Sequence, residues 1–317
     1  TFGVGGNTAA PQVVATRCGG QSSYTLTGSG DGTIFWYNTA SGGTPIAAGN
    51  TASISTNGLS GSLYASLNDF SATVGPSTKK FATGGGYNQC TPDVVVETRA
   101  PMLLESARLY IGNSGKITFT AYNSDGSPVS TRTLKVEATR STPAPGVQED
   151  DPNDQGAVYY LGLELPEAGT YNIAISYDSP NGATIYRNNA GVAGYPFGVN
   201  NVFTITGNTA NPGPLSYYYY FYDLKVRALG CVSPRVAVPV ENGVPIPTPL
   251  ITRQGLSLQS SVAEGNQWYL DSQPIPGATG QTYTPTESGD YTVQAQWQGC
   301  VSTRSQRYTF AYQADGR

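Results

Sequence analysis

The sequence of 317 residues contains no histidine, one methionine and few charged side chains. Charged residues make up 12% of the chain, against about 25% in an average soluble protein. Without an imidazole, neither a Ser-His-Asp nor a Cys-His catalytic device can be built. The common zinc sites use histidine or clustered cysteines, and the four cysteines, at positions 18, 90, 231 and 300, are far apart in sequence. No run of about 18 apolar residues is present, so we expect no membrane insertion. The net charge of −4 argues against a nucleic-acid partner.

Glycine, proline and tyrosine are abundant, with 39, 22 and 22 copies. Apolar and polar residues alternate over short segments such as 116–122 and 171–177. Asn-Gly and Asp-Gly pairs separate these segments and supply the positive φ that tight hairpins require. Helical periodicity is absent, and so are the common nucleotide-binding and hydrolase motifs. The sequence therefore predicts an all-β protein of tandem β-sandwiches that is not an enzyme.

Two segments of the chain repeat each other. Trp36-Tyr37 and Trp268-Tyr269 each stand before a short segment with Pro-Ile and a later Gly-x-Thr. A tryptophan on the third strand of an immunoglobulin-like sandwich fills the core between the two sheets. We therefore expect Trp36 and Trp268 to be core residues and not ligand contacts.

A second repeat is Gly-Cys-Val-Ser, which ends at Ser233 and at Ser302. A tyrosine stands nine residues before each cysteine, at Tyr222 and Tyr291, which predicts equivalent penultimate strands. The tryptophan-to-cysteine spacing is 32 residues in the second copy and 195 in the first. The longer spacing favours a domain inserted into the first copy, and a linear string of domains is the alternative. The predicted domains are two immunoglobulin-like domains, at 1–70 plus 228–242 and at 243–317, with a larger β-sandwich at 71–227.

These segments resemble modules of secreted Bacteroidota proteins. TRCGG with TLTGSGDGTIFWYNTASGGTPI, and GNQWYLDSQPIPGATGQTYTPTESGDYTVQ, resemble the immunoglobulin-like modules often carried by type IX secretion cargo. IYRNNAGVAGYPFGVNNVFTITGN and SYYYYFYDLKV resemble a β-sandwich module that accompanies them. The resemblance implies an extracellular or cell-surface location. Because such modules serve as stalks, spacers and adhesive units, it says little about a particular function.

The resemblance also implies one disulfide bond. Modules of the first type commonly join the early cysteine to the cysteine before the last strand, which by position predicts a Cys18–Cys231 bridge. Two options stay open for Cys90 and Cys300: they bridge each other, within or between chains, or both are buried thiols.

The densest acidic run is a candidate calcium site. Clustered carboxylates with an asparagine suit a hard cation. We expect no cofactor apart from calcium, which this run could hold. The alternative is a solvated acidic loop between strands. The candidate ligands are Asp150, Asp151, Asn153 and Asp154.

The tyrosine run 217–222 predicts a strand with one face in the core and an aromatic stripe on the other. Exposed tyrosines stack on sugar rings or anchor protein interfaces, and packing between sheets is the alternative. Nearby segments supply the remaining candidates for contact with a glycan or a partner: Tyr186, Arg187, Asn188, Tyr195 and Phe197.

The leading hypothesis is a non-catalytic extracellular structural or adhesive protein, as a segment or subunit of a bacterial surface stalk or filament. We expect self-association or contact with other cell-surface proteins, because a β-prone last strand exposes an edge that natural proteins must cover or use. The alternative is a carbohydrate-binding protein that uses the middle β-sandwich. The candidate self-association residues are Phe2, Val4, Tyr308, Phe310 and Tyr312.

Overall fold

A computed structural model describes residues 8–55, 57 and 61–312 of the chain. These residues form β-strands and turns with no helix, so the predicted all-β class is confirmed. No helical membrane span occurs among them. The described residues divide into two compact units. The first unit comprises 8–12, 29–50 and 61–237, and the second comprises 13–28, 51–55, 57 and 238–312.

The strands of the described residues, in chain order, fall into three groups. The first group precedes the middle region: β1 (Gln12–Cys18), β2 (Ser23–Ser29), β3 (Ile34–Tyr37), β4 (Ala47–Ala48), β5 (Thr51–Ser55) and β6 (Tyr64–Leu67). The second group builds the middle region: β7 (Ser71–Val74), β8 (Gly85–Asn88), β9 (Val94–Thr98), β10 (Met102–Leu109), β11 (Ile111–Asn113), β12 (Gly115–Tyr122), β13 (Pro128–Val136), β14 (Gln148–Glu149), β15 (Ala157–Leu165), β16 (Gly169–Tyr177), β17 (Thr184–Asn188), β18 (Phe197–Val199), β19 (Phe203–Asn208), β20 (Tyr218–Tyr219) and β21 (Tyr222–Ala228). The third group follows it: β22 (Val236–Ala237), β23 (Val240–Gly243), β24 (Ile251–Gln254), β25 (Ser257–Ser260), β26 (Asn266–Leu270), β27 (Gln273–Pro274), β28 (Thr282–Tyr283), β29 (Gly289–Trp297), β30 (Cys300–Val301) and β31 (Tyr308–Phe310).

Strands that precede the middle region pair with strands that follow it. In the first unit, β22 pairs antiparallel with β6, within a sheet of order β22-β6-β3-β4. In the second unit, β23 pairs parallel with β1, within a sheet of order β23-β1-β2-β5. Strands from both sides of the middle region therefore share each of these two sheets. The residues predicted as the first immunoglobulin-like domain are divided between the two units.

The middle region is built from three sheets around one hydrophobic core. Their orders are β13-β12-β16-β9-β19-β18, β15-β10-β21-β7 and β11-β17-β8-β14, and β20 pairs with β17 at the side of the last. Strand β12 illustrates the pattern, because Ile117, Phe119 and Ala121 are buried while the residues between them are more exposed. The ring of Phe119 lies 5.0 Å from that of Phe221. Alternation with a period of two residues thus gives each strand one core face.

The two tryptophans occupy equivalent positions, and their predicted burial is confirmed. Trp36 and Trp268 are both fully buried. Each indole Nε1 donates to a glycine carbonyl, that of Gly49 at 2.8 Å or that of Gly280 at 2.9 Å. Each tryptophan carbonyl also accepts a backbone hydrogen bond from the isoleucine of the following Pro-Ile segment. The sequence repeat is therefore a repeat of structure.

The Gly-Cys-Val-Ser repeat is structural as well. Ser233 Oγ accepts a hydrogen bond from the backbone of Leu67 at 2.8 Å, and Ser302 Oγ accepts one from Ala295 at 2.9 Å. Leu67 and Ala295 each stand opposite the residue two positions before the tryptophan. Strand β6 is therefore the counterpart of β29. The predicted equivalence of Tyr222 is wrong, because its strand β21 pairs with β10 and β7 of the middle region.

An arginine after each Gly-Cys-Val-Ser segment covers the tyrosine next to the tryptophan. The guanidinium carbon of Arg235 lies 3.3 Å from the ring centroid of Tyr37, and that of Arg304 lies 3.7 Å from the centroid of Tyr269. Burial and the neighbouring Asp69 carboxylate raise the pKa of Tyr37 to about 12, although Arg235 opposes the shift. Tyr37 therefore stays neutral beside the cation.

We predict that Trp36→Ala and Trp268→Ala each lower the free energy of unfolding by about 3–5 kcal/mol, because each removes a fully buried indole and leaves a cavity. Thermal or denaturant unfolding of the purified variants measures the loss. Trp297→Ala is the matched control, since this indole is 54% exposed, and it should unfold like the wild type. Wild-type stability of either core variant would contradict the assignment.

Candidate functional site

The disulfide bond in the structure joins Cys18 to Cys300, and the predicted Cys18–Cys231 pairing is wrong. Cys18 stands opposite Gly243 in the parallel β1–β23 pair, and a Cβ on Gly243 would lie 2.9 Å from Cys300 Sγ. The glycine thus leaves room for the bridge. The sequence contained one indication of this pairing: the second immunoglobulin-like segment has no early cysteine to pair with Cys300. Its partner, Cys18, lies in the first immunoglobulin-like segment.

The other two cysteines, Cys231 and Cys90, carry free thiols. Cys231 is exposed, whereas Cys90 is partly buried, and this burial raises the pKa of the Cys90 thiol. Cys90 and Cys300 therefore neither bridge each other nor are both free thiols, so both options left open for them are wrong. The bridge that does form suits an oxidising compartment.

Several oxygens of the acidic run already accept hydrogen bonds from other parts of the protein. The side chain of Lys79 is only 3% exposed, and its Nζ lies 2.6 Å from both Asp150 Oδ1 and the Asp151 carbonyl oxygen. Among the residues described, no three carboxylate, thiolate or imidazole groups are arranged to hold a metal ion. The calcium prediction for Asp150, Asp151, Asn153 and Asp154 is therefore not supported by the structure.

The acidic run is a partly exposed loop, in which Asp151 and Asp154 are the buried members. Asp151 Oδ2 accepts hydrogen bonds from the backbone and hydroxyl of Ser141, both at 3.0 Å, and its Oδ1 accepts one from the Asn153 backbone. These hydrogen bonds, with a smaller contribution from Lys79, lower the pKa of Asp151. Asp154 is also buried. These contacts anchor the run to the rest of the first unit. The local sequence could not predict them, because Lys79 lies far from the run along the chain.

Two of the predicted glycan-contact residues are buried. Tyr186 and Asn188 are both fully buried, so neither can contact a ligand from solvent. Asn188 Oδ1 accepts a hydrogen bond from the Tyr222 hydroxyl at 2.7 Å, and its Nδ2 donates to the Lys79 carbonyl at 2.8 Å. These contacts are structural. The predicted exposure of these two residues is wrong because their strand, β17, is covered on both faces.

Tyr195 and Phe197 are partly buried and pack together, with ring centroids 4.8 Å apart. Both also contact the ring of Tyr218, at 6.0 Å and 5.3 Å. The Tyr195 hydroxyl donates to the Tyr217 carbonyl at 2.9 Å, and burial raises the pKa of Tyr195 to about 12. This pair is therefore the edge of the aromatic core and not a separate ligand surface.

The tyrosine run is not one regular strand with an exposed stripe. Tyr220 has a positive φ of 61° and separates β20 from β21, so the alternation of faces is interrupted. All residues from Tyr218 to Tyr222 are buried. The hydroxyls of Tyr218, Tyr220 and Tyr222 find partners inside the unit, as where Tyr218 donates to the Phe221 carbonyl at 2.6 Å. Packing within the core, the alternative that the sequence left open, is the correct interpretation for this part of the run.

Arg187 is the member of the predicted set that lines a cleft, with a volume of about 690 Å³. Its guanidinium carbon lies 5.2 Å from the ring centroid of Tyr217, whose ring is in turn 6.1 Å from that of Tyr219. Burial raises the pKa of Tyr219 to about 12, so its hydroxyl is neutral. Asn88, Gln89 and Asn211 add amide groups to the lining. The cleft therefore combines aromatic faces, neutral hydrogen-bonding groups and one cation.

The second unit contains another cleft, which the sequence did not predict. It has a volume of about 730 Å³, and its lining includes no charged side chain. Trp297 is 54% exposed there, and Asn266 Oδ1 is buried without a hydrogen-bond partner. The available signal was the Gln-x-Gln-Trp-Gln run on the strand β29 and the turn after it. Four glutamines line the cleft: Gln267, Gln294, Gln296 and Gln298.

The last described strand, β31, has one strand neighbour within the described residues. It pairs antiparallel with β29, from Tyr291↔Tyr308 to Gly289↔Phe310. Phe310 is buried, Tyr308 is partly buried and Tyr312 is exposed. Of the predicted self-association residues, Phe310 is therefore a core residue, and Phe2 and Val4 lie outside the described residues. Tyr308 and Tyr312 remain beside an available strand edge.

Comparison of the chain with models of known protein families finds no match, and comparison with curated proteins finds none either. The function therefore has to be inferred from the chain's own geometry.

Proposed function

We propose that this chain is a non-catalytic extracellular structural or adhesive protein, which forms a segment or subunit of a bacterial surface stalk or filament. The observation that carries the proposal is the Cys18–Cys300 bridge, which spans 282 residues of sequence. Tension applied to the two chain ends passes through this covalent bond. The residues between the two cysteines are therefore protected from extension, which is a property suited to a stalk.

We predict that reduction of this bridge lengthens the chain under force by roughly 1,000 Å, since 282 residues become extensible at about 3.3–3.6 Å each. Single-molecule pulling from the two termini measures the extension with and without reductant. Cys300→Ser should show the long extension without reductant. Cys231→Ser is the matched control and should keep the short one. A long extension of the oxidised wild type would contradict the proposal.

The edge of β31 supports the filament form of the proposal. A strand with one free edge exposes unpaired backbone groups that can pair with another chain. Arg307 and Asp290 form a salt bridge at 3.2 Å next to this edge, but the strand itself contains neither lysine nor proline to prevent pairing. A contact between different surfaces of successive copies propagates into a fibre and does not close into a dimer.

We predict that Tyr312→Lys reduces self-association, because a charged lysine beside an edge strand opposes pairing. Sedimentation and negative-stain electron microscopy of the purified chain measure polymer formation. Val244→Lys, which adds the same charge at a residue that is 80% exposed elsewhere, should leave polymers unchanged. A wild-type chain that stays monomeric at high concentration would rule out the filament form while leaving the stalk form open to the pulling experiment.

A second candidate function is carbohydrate binding, favoured by the cleft of Arg187, Tyr217 and Tyr219. Aromatic faces pack on the apolar faces of sugar rings, and amide and guanidinium groups donate to hydroxyls. The cleft of Trp297 and its glutamines has the same character without a charge, which suits a neutral saccharide. Both clefts have the size of small-molecule sites.

We predict that Arg187→Ala or Trp297→Ala weakens the binding of glycans about fivefold, depending on which cleft binds, since a lost stacking contact costs about 1 kcal/mol. A printed array of neutral and acidic glycans, followed by calorimetry on the retained ones, measures this. Tyr160→Ala removes an aromatic ring that is 55% exposed outside both clefts and is the control. Equal binding by all three variants, or none by the wild type, would exclude this function.

A further inference from the structure

Lys79 is enclosed by aromatic rings. Its Nζ lies 4.5 Å from the ring centroid of Tyr186, 5.1 Å from that of Tyr87 and 5.2 Å from that of Tyr110. The closest carboxylate is that of Asp150, with Oδ1 at 2.6 Å. Lys79 stands between β7 and β8, and Asp150 follows β14. The two residues are 71 positions apart in sequence and share the first unit.

Amide formation requires the uncharged forms of this pair. An ion pair that is removed from water loses hydration, and transfer of one proton from the ammonium to the carboxylate removes both charges. The product is a neutral amine whose nitrogen lone pair lies next to a neutral carboxylic acid. An amine and a carboxylic acid held at hydrogen-bond distance are the reactants of amide formation, and their fixed orientation replaces a collision in solution.

A route for the proton also leads from the amine nitrogen. The Tyr87 hydroxyl accepts from Lys79 Nζ at 2.9 Å and donates to Asp154 Oδ2 at 2.7 Å. Asp154 is fixed by the Thr139 hydroxyl at 2.9 Å and by the Gly156 backbone at 2.8 Å. A proton that leaves the nitrogen during bond formation can therefore pass through Tyr87 to the Asp154 carboxylate. The departing Asp150 oxygen takes its proton from solvent, because this side chain is 35% exposed.

We propose that Lys79 and Asp150 form an intramolecular amide crosslink. The Lys79 nitrogen attacks Asp150 Cγ, the new N–C bond forms, and the C–O bond to the Asp150 hydroxyl breaks with release of one water. No oxidant, reductant or co-reactant is consumed. The Asp150 side chain is 35% exposed, so the water can leave to solvent. The inference does not rest on the proposed function, because it concerns a covalent bond inside one unit. The crosslink would shorten the extension of the reduced chain by roughly 250 Å, since it spans 71 positions of about 3.3–3.6 Å each.

The intact mass of the full chain tests the crosslink directly. After purification, unfolding and reduction of the disulfide, the wild-type mass should be lower than the sequence mass by one water. Tandem mass spectrometry of a digest should then find Lys79 joined to Asp150 in a branched peptide. A wild-type chain at its full sequence mass would overturn the proposal. So would a loss of water located elsewhere, such as a succinimide at Asp125-Gly126, with the Lys79 amine free.

Three variants test the chemistry. Lys79→Met and Asp150→Ala should both have their full sequence masses. Asp150→Asn should lose ammonia in place of water and give the same crosslinked product mass as the wild type, because an amine that attacks a carboxamide expels ammonia. Asp154→Asn should slow the reaction when the crosslinked fraction is followed over time after synthesis. Glu241→Gln, at an exposed carboxylate, is the control and should react at the wild-type rate.

Discussion

The structure depends on one return of the chain. It leaves the β22-β6-β3-β4 sheet after β6, builds the middle region, and comes back to the same sheet as β22. Asn68 is the residue at which it leaves, with a positive φ of 52°. Its Oδ1 accepts from the Thr33 backbone at 3.0 Å, and its Nδ2 donates to the Cys231 carbonyl at 3.0 Å. A Cβ on Gly32 or Gly230 would collide with this side chain, so two glycines make room for one asparagine. One amide thus joins the outgoing and the returning segments.

The middle region is compatible with this return because its two ends lie side by side. The entry strand β7 and the exit strand β21 pair antiparallel, with Ser71 opposite Arg227 and Val74 opposite Leu224. An insertion whose ends are adjacent adds little closure entropy to its host. Beyond the exit strand, Arg235 binds the Asp69 carboxylate at 2.7 Å and covers Tyr37. The same few residues therefore close the insertion and complete the host sheet.

The sequence predicted those features that depend on local pattern. The strand class follows from two-residue alternation, and the burial of Trp36 and Trp268 follows from their repeated surroundings. The inserted domain, which the unequal spacing between tryptophan and cysteine favours, stays a prediction. The Tyr222 alignment failed because nine-residue spacings arise by chance in a strand-rich chain.

Features that depend on distant partners could not be predicted. The cation that neutralises Asp150 stands 71 positions away, and nothing in the local sequence indicates it. Likewise, the burial of Tyr186 and Asn188 depends on neighbours on both faces of β17. The Cys18–Cys300 bridge joins two segments that resemble different modules. A resemblance to single modules cannot predict a bond between them. In each case, the outcome depends on contacts between residues far apart in sequence, which the local pattern does not show.

The burial of Lys79 needs a reason beyond stability. Removing two opposite charges from water costs free energy that their attraction only partly returns, and apolar residues of similar volume often stabilise a core as well or better. Three tyrosine rings and two aspartates are nevertheless organised around this one amine. A crosslink between Lys79 and Asp150 would explain the arrangement, because an amide has no charge to desolvate and is not lost when the unit opens. It would also add, inside the first unit, a covalent constraint of the kind that the Cys18–Cys300 bridge supplies in the second.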